Sequence, residues 1–267
     1  MKKYLVCIDS DGCAIDSMEI KHRRCFGPLI VEVWGLHQWK DAILDRWNEI
    51  NLYSRTRGIN RFLGLEMMLT EIDQQYCTID GLAEYSAWCK STETYSNAAL
   101  SATENQHPIF RKVLDWSNRV NRDVAEISGE ICPFDGVKEA LEKIHQYADI
   151  AIVSSANPQA VHEEWTRFGF MELVDYVMAQ DAGTKAECIH ALLERGYEKN
   201  CTMMVGDAPG DHSAAKANDV LYYPIVPGHE LDSWQRLTAE AFDKFFRGEY
   251  AGAYMNLQIS NYEHVLK

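Results

Sequence analysis

Four short segments of the chain are apolar along most of their length and end at small or acidic residues. They are KYLVCI at 3–8, DIAIVSS at 149–155, CTMMVGD at 201–207 and VLYYPIV at 220–226. Runs of this kind are typical of strands that are buried on both faces of a parallel sheet. The pattern therefore predicts four strands, the first of them close to the start of the chain.

Helical periodicity precedes the second of these strands and fills the interval between the second and the third. Segment 136–148 carries apolar residues on one face, segment 157–169 begins with the N-cap pair Asn157-Pro158, and segment 184–196 ends at a glycine. Strands that alternate with helices predict an α/β fold with a doubly wound, Rossmann-like parallel sheet. Ligands bind such sheets at the carboxyl ends of the strands.

Residues 17–131 do not follow this alternation and predict an inserted α-helical cap domain. Apolar residues recur there at helical spacing, as in Trp39, Ile43, Trp47 and Ile50, and again in Val113, Trp116, Val120 and Val124. The predicted core is then 1–16 with 132–267. It includes an appended amphipathic helix from about 229, whose apolar stripe is Trp234, Leu237, Ala241, Phe242 and Phe245, and which we expect to pack on the core or on a second subunit.

Net charge, apolar segments and cysteine spacing argue against some classes of protein. The formal net charge of −14 over 267 residues, with no basic run to offset it, argues against a nucleic-acid partner. No segment approaches the roughly 20 apolar residues of a membrane span. The eight cysteines are scattered without a CxxC pair, which favours reduced thiols and a cytoplasmic protein.

Polar residues collect where the predicted strands end. Asp9 and Asp11 follow the first strand, Ser154 the second, and Asp207 the third, with Asp211 and Lys185 in neighbouring loops. Clustered carboxylate oxygens suit Mg²⁺, which also retains water and substrate phosphate oxygens. A lysine and a serine beside them provide hydrogen-bond donors for a phosphoryl group.

These residues carry a resemblance to a known family. DSDGC at 9–13 is similar to the Asp-x-Asp-Gly-Thr motif of haloacid dehalogenase superfamily phosphatases; Ser154, Lys185 and GDAPGD at 206–211 resemble its other three motifs in order. The insertion after the first motif is where the phosphoglycolate phosphatase and β-phosphoglucomutase-like branch places a helical cap. Cys13 departs from the pattern, since the family commonly has threonine there.

The resemblance implies a role for each residue. Asp9 resembles the nucleophile that forms an aspartyl-phosphate, and Asp11 the general acid and base. The phosphoryl group would be bound by Gly12, Ser154, Ser155 and Lys185, and Mg²⁺ by Asp9, Asp11, Asp207 and Asp211. Asp211 has a second interpretation, as an anchor for Lys185.

The implied function is a Mg²⁺-dependent phosphomonoester hydrolase, monomeric or homodimeric, that acts on a small phosphorylated metabolite. The alternatives are a sugar-phosphate mutase of the same superfamily and a non-catalytic module that binds a phosphorylated ligand. The presence of Asp11 argues against the dehalogenase and phosphonatase branches. In the insertion, Arg55, Arg57 and Arg61 would suit a carboxylate or second phosphate on the leaving group, or else are solvated surface charges.

Overall fold

The part of the chain that contains the N- and C-terminal segments is built around a five-stranded parallel sheet. In this computed structural model, which describes residues 1–266, the sheet has the order β5-β4-β1-β6-β7. The strands are β1 Tyr4–Ile8, β2 Ile15–Asp16, β3 Cys132–Pro133, β4 Ala148–Val153, β5 Tyr176–Met178, β6 Thr202–Gly206 and β7 Leu221–Pro224, with β2 and β3 paired separately and antiparallel. The predicted α/β fold with a parallel sheet is confirmed.

Strand register brings three loops to one edge of the sheet. Strand β1 is central and pairs in parallel with both β4 and β6. Its last residue, Ile8, lies opposite Ile152 of β4 and Val205 of β6. The chain therefore leaves all three strands at nearly the same level, and the polar residues that follow them share one edge.

The described residues form fourteen α-helices. They are α1 Met18–Lys21, α2 Gly27–Trp34, α3 Lys40–Asn48, α4 Arg61–Gln75, α5 Leu82–Ser91, α6 Asn97–Ser101, α7 Pro108–Ile127, α8 Val137–Tyr147, α9 Pro158–Arg167, α10 Lys185–Leu193, α11 Pro209–Ala217, α12 Glu230–Arg236, α13 Phe242–Arg247 and α14 Ala253–Val265. None of the helices within residues 1–266 has the length and apolar character that a membrane crossing requires.

Local capping explains where the helices near the strand ends begin. The Asn157 side chain accepts the backbone N–H of Gln159 at 2.9 Å, and Pro158 occupies the first position of α9, as the sequence predicts. Helix α10 begins with a reciprocal capping box between Thr184 and Glu187. This cap sets the start of α10, so that Lys185 is its first residue.

The chain divides into two compact units. Unit one contains residues 1–18 and the chain from 131 onward, and unit two contains residues 19–130. The core of unit two includes Trp47 and Trp116, which are fully buried and meet edge to face at 6.1 Å between ring centroids. Trp39 is only half-buried because it lies in a 3₁₀ turn before α3.

The C-terminal segment differs from the single predicted helix. Its predicted apolar stripe from Trp234 to Phe245 is buried, but a π-helical turn at Leu237–Ala241 lies between α12 and α13. Helix α14 follows and was not predicted. Its apolar residues are not confined to one face, so periodicity gives little signal there.

Candidate active site

Asp9 is the first residue beyond β1, and its backbone extends the strand ladder by donating to the carbonyl of Val205 at 3.0 Å. The residue is buried at 5% exposure, yet both carboxylate oxygens have partners. Oδ1 accepts the backbone N–H of Ser10 at 2.8 Å, and Oδ2 lies 2.7 Å from Nζ of Lys185. The carboxylate is therefore held in one orientation at the sheet edge.

Lys185 joins two parts of the site. Its ammonium group lies 2.7 Å from Oδ2 of Asp9 and 2.6 Å from Oδ1 of Asp211. The Asp211 Oδ2 accepts the backbone N–H of Ala208 at 3.0 Å, at the start of α11. One cation thus connects the ends of β1 and β6 with the first turns of α10 and α11.

Burial controls the protonation of these groups. Desolvation raises the pKa of Asp9 to about 7, although the neighbouring Lys185 acts in the opposite direction. Desolvation likewise raises the pKa of Asp211, again against the effect of Lys185. Burial lowers the pKa of Lys185, but the charges of Asp211 and Asp9 outweigh it and the pKa lies above its usual value. Lys185 is therefore charged, whereas burial disfavours the ionised forms of Asp9 and Asp211.

Asp207 completes a buried acidic cluster. Ligand oxygens of Asp9, Asp207 and Asp211 all lie within 4.8 Å of one another. When ionised, the three carboxylates exceed the single charge of Lys185 by two, and buried excess charge is costly unless it is compensated.

The donor set fits a magnesium ion. The ligands are hard carboxylate oxygens, which Mg²⁺ prefers, and octahedral ligands at about 2.1 Å from the ion are about 3–4 Å apart. A divalent cation would also balance the two excess negative charges. The carboxylate of Asp11, which the sequence also predicted as a ligand, is not a member of this cluster within residues 1–266.

Gly206 makes room for Asp211. A Cβ atom at Gly206 would lie 2.3 Å from Cγ of Asp211, which no packed structure tolerates without movement. The last residue of β6 must therefore be glycine for the Asp211 carboxylate to reach Lys185. Sequence reasoning missed this requirement, because it depends on a side chain five residues further along the chain.

Asp11 has a different environment from Asp9. It is half-buried, and the hydroxyl of Ser17 donates to its Oδ1. Gly12 has φ +78° and its N–H donates to the carbonyl of Ile15 at 2.8 Å. This N–H is used within the loop, so the structure supports Gly12 as a turn residue rather than as an amide donor to phosphate.

Ser154 and Ser155 follow β4 at the same edge of the sheet. Ser154 is buried, its backbone N–H donates to Met178, and its Oγ accepts the N–H of Ala156 at 3.1 Å. A hydroxyl that accepts in this way still has a proton to donate. Ser155 is exposed.

The three arginines lie in unit two and differ in environment. Arg55 is exposed, whereas Arg57 is buried and donates to the carbonyl of Leu52 at 2.7 Å. Arg61 lies over the ring of Phe26 and donates to Oδ1 of Asn121 at 2.6 Å. Their role toward a substrate stays a prediction.

Aromatic donors support the loops of the site, and sequence reasoning did not identify them. The indole N–H of Trp165 donates to Oγ of Ser10 at 2.9 Å, and that of Trp234 donates to the carbonyl of Cys13 at 3.0 Å. Tyr222 and Tyr262 donate to the carbonyls of Gly206 and Asp207, each at 3.0 Å. The sequence contains no signal for these bonds, because each joins residues that are distant along the chain.

The family is established by sequence comparison. The profile of the haloacid dehalogenase-like hydrolases matches residues 84–223, which is just over half of the chain. This chain therefore belongs to the haloacid dehalogenase-like hydrolases. The matched range contains Ser154, Lys185, Asp207 and Asp211, whereas the loop after β1 lies before it.

Solved structures resemble the chain in outline. A haloacid dehalogenase-like family hydrolase from Streptococcus pneumoniae is 14% identical, with 87% of this chain and 90% of that chain covered and a TM-score of 0.48. CbbY from Rhodobacter sphaeroides, solved in complex with phosphate, is 13% identical, with 84% and 87% covered and a TM-score of 0.49. At these values the likeness identifies neither an activity nor a substrate. A search of curated protein sequences finds no match.

We predict that Gly206→Ala destabilises the protein by about 2–3 kcal/mol, because the new methyl group displaces Asp211 from its bonds with Lys185 and Ala208. Urea denaturation measures the free energy of unfolding. The matched control is Gly210→Ala, where no atom lies within 4 Å of the added Cβ, and its effect should stay within about 0.5 kcal/mol. Equal stability of the two variants would contradict the packing argument.

We predict that Lys185→Met destabilises the metal-free protein more at pH 8 than at pH 5. The folded-state pKa of Asp9 is already above its ordinary value of 3.8, so protonation of Asp9 stabilises the folded protein relative to the unfolded chain. This stabilisation is lost as the pH rises through about 7. Without the ammonium group that pKa rises further. At pH 8 the unfolded state is ionised, so the folded variant must either keep Asp9 protonated or bury its charge without a partner, and either adds a penalty relative to the wild type, about 3 kcal/mol, that is absent at pH 5.

Urea denaturation in EDTA at both pH values tests this prediction. Lys199→Met is the control, because that lysine pairs with Asp219 at the surface with 58% side-chain exposure, where ion pairs contribute little. A Lys185→Met effect that does not change between pH 5 and pH 8 would contradict it.

Proposed function

We propose that this hydrolase is a Mg²⁺-dependent phosphatase that cleaves phosphomonoesters of small metabolites through an aspartyl-phosphate on Asp9. The main support is the position of the Asp9 carboxylate, which lies at a sheet edge against the Lys185 ammonium and within a cluster of three buried carboxylates. This arrangement supports the proposal, because a carboxylate oxygen beside fixed positive charge suits attack on a phosphoryl group bound there.

In the first step, an oxygen of Asp9 attacks phosphorus and the bond from phosphorus to the leaving oxygen breaks. Asp11 gives its proton to that oxygen, so that the alcohol leaves neutral. Asp11 suits this role because it is half-buried, lies outside the acidic cluster and is oriented by the hydroxyl of Ser17.

In the second step, Asp11 takes a proton from water, and the resulting hydroxide attacks the phosphorus of the aspartyl-phosphate. The bond from phosphorus to Asp9 breaks, which releases inorganic phosphate and restores the carboxylate. Lys185 and the hydroxyl of Ser154 hold the phosphoryl oxygens during both steps, with Ser155 as a further donor.

The magnesium ligands in this proposal are Asp9, Asp207 and Asp211. When bound, Mg²⁺ neutralises charge on the phosphoryl oxygens and favours the ionised form of Asp9, whose pKa burial alone raises. Asp211 also anchors Lys185, so the two interpretations of this residue are compatible.

Two alternatives share the same residues. A mutase would pass the phosphoryl group from Asp9 to a second hydroxyl, and analysis of the products distinguishes it from a hydrolase. A non-catalytic module would bind the phosphorylated ligand without turnover. The complete set of nucleophile, acid, lysine and acidic cluster favours an enzyme over that module.

We further propose that unit two is the cap that selects the substrate, with Arg55, Arg57 and Arg61 as candidates for binding its leaving group. The partner is a small phosphorylated metabolite, and the enzyme acts as a monomer or homodimer. The scattered cysteines, which include no CxxC pair, support a cytoplasmic location as part of this proposal.

We predict that Asp9→Asn abolishes phosphate release and leaves the fold intact, because an amide is not a nucleophile for phosphorus. The measurement is release of inorganic phosphate from a panel of phosphorylated metabolites, with Mg²⁺ and with EDTA. Asp243→Asn is the control, since that carboxylate is on α13 with 52% side-chain exposure. Activity of Asp9→Asn at the wild-type level, or full activity in EDTA, would refute the proposal.

We predict that Asp11→Asn gives a burst of p-nitrophenol from p-nitrophenyl phosphate, followed by slow turnover. This leaving group needs little protonation, so the first step continues. The second step loses its general base, which should lower its rate by roughly 10²–10⁴-fold. Stopped-flow absorbance measures the burst, which should equal the enzyme concentration. With an alkyl phosphate the first step should be slow as well. Wild-type steady-state rates on both substrates would exclude Asp11 as the acid and base.

A further inference from the structure

The C-terminal segment contributes to the site although it follows the range that the family profile matches. That range ends at residue 223, and helices α12 to α14 lie beyond it. Two buried aromatic residues of these helices donate hydrogen bonds to backbone carbonyls of the site loops, Trp234 to Cys13 and Tyr262 to Asp207. The bond from Tyr262 involves a residue of the acidic cluster itself.

The carbonyl of Asp207 lies where the regular sheet ends. The last ladder bond between β6 and β7 extends to Ile225, whose N–H donates to the carbonyl of Gly206 at 2.9 Å. One residue further, the hydroxyl of Tyr262 donates to the carbonyl of Asp207 at 3.0 Å. A side chain from α14 thus continues the hydrogen bonding of β6 beyond the last strand partner.

Tyr262 is itself held firmly. It is 2% exposed, packs with Val226 and Leu266, and lies edge-on to the ring of Tyr222 with 6.4 Å between centroids. Because the hydroxyl is fixed, the peptide plane after Asp207 is fixed, and with it the direction in which the Asp207 side chain leaves the backbone.

We propose that Tyr262 is a positioning residue for the magnesium site and that it acts by orienting Asp207. This inference rests on the proposed function, because it concerns the metal that the acidic cluster would bind. Residues that orient a ligand typically change metal affinity by 10–100-fold when they are removed. Loss of the Tyr262 hydroxyl leaves the Asp207 carbonyl without its bond and lets the loop relax.

The test compares Tyr262→Phe with Tyr250→Phe. Tyr250 is a matched control, because it is another buried tyrosine of the C-terminal segment, and its hydroxyl donates at 2.7 Å to the carbonyl of Tyr222, a residue within β7. Isothermal titration calorimetry with MgCl₂ and no substrate measures the Kd for Mg²⁺. We expect it to rise at least about tenfold in Tyr262→Phe and to stay within about twofold in Tyr250→Phe.

Two further readouts separate positioning from a general loss of stability. The melting temperature should fall similarly in both variants, since each loses one buried hydrogen bond. Amide hydrogen exchange of residues 207–211 should be faster only in Tyr262→Phe. At saturating Mg²⁺, the KM for a phosphomonoester should be unchanged.

If Tyr262→Phe does not fold, Leu266→Ala loosens the packing around the same ring, and we expect a smaller rise in the Kd.

The outcomes distinguish this inference from the proposed function. If wild-type protein releases phosphate and binds Mg²⁺, but Tyr262→Phe and Tyr250→Phe have the same Kd, then Tyr262 has only a structural role and the inference is wrong. An unchanged Kd in folded Leu266→Ala would overturn it in the same way. If wild-type protein neither binds Mg²⁺ nor releases phosphate, the proposed function and this inference both fail.

Discussion

The ammonium group of Lys185 lies between two buried carboxylates, and the geometry of the site depends on this one cation. Asp9 follows β1 and Asp211 lies in the first turn of α11, and two like charges would repel each other in a region with little water. Lys185 is within 2.7 Å of both, which ties the end of β1 to the starts of α10 and α11. Its placement depends in turn on the capping box that starts α10 one residue earlier.

The two carboxylates of the first loop show how environment assigns different chemistry to the same residue type. Asp9 is buried, has both oxygens engaged and belongs to the acidic cluster. Asp11 is two residues further, half-buried and bonded to the hydroxyl of Ser17. Pairs of titratable groups in contrasting surroundings are a common basis for separate nucleophile and acid roles.

The sequence predicts those parts of the molecule whose signal is local. Strands β1, β4, β6 and β7 are short and mostly apolar runs. The rule that ligands bind at strand ends predicted Asp9 in the site, and the resemblance to the family's motifs added Lys185. Strand β5 was missed because it has three residues at the sheet edge and a partly exposed pattern. Gly206 and the aromatic donors were missed for another reason: each is defined by a partner that only the folded chain brings near.

Cys13 shows why such long-range contacts matter to the loops they support. The resemblance to the family predicts threonine here, and the loss of its hydroxyl could have altered the first loop. The loop is instead held through its backbone, since Trp234 binds the carbonyl of Cys13, a group that every residue has. Burial raises the pKa of the Cys13 thiol, so it remains neutral and adds no charge beside the acidic cluster. Support through this carbonyl does not depend on a hydroxyl at position 13, where the buried thiol donates instead to the carbonyl of Val205 at 3.6 Å.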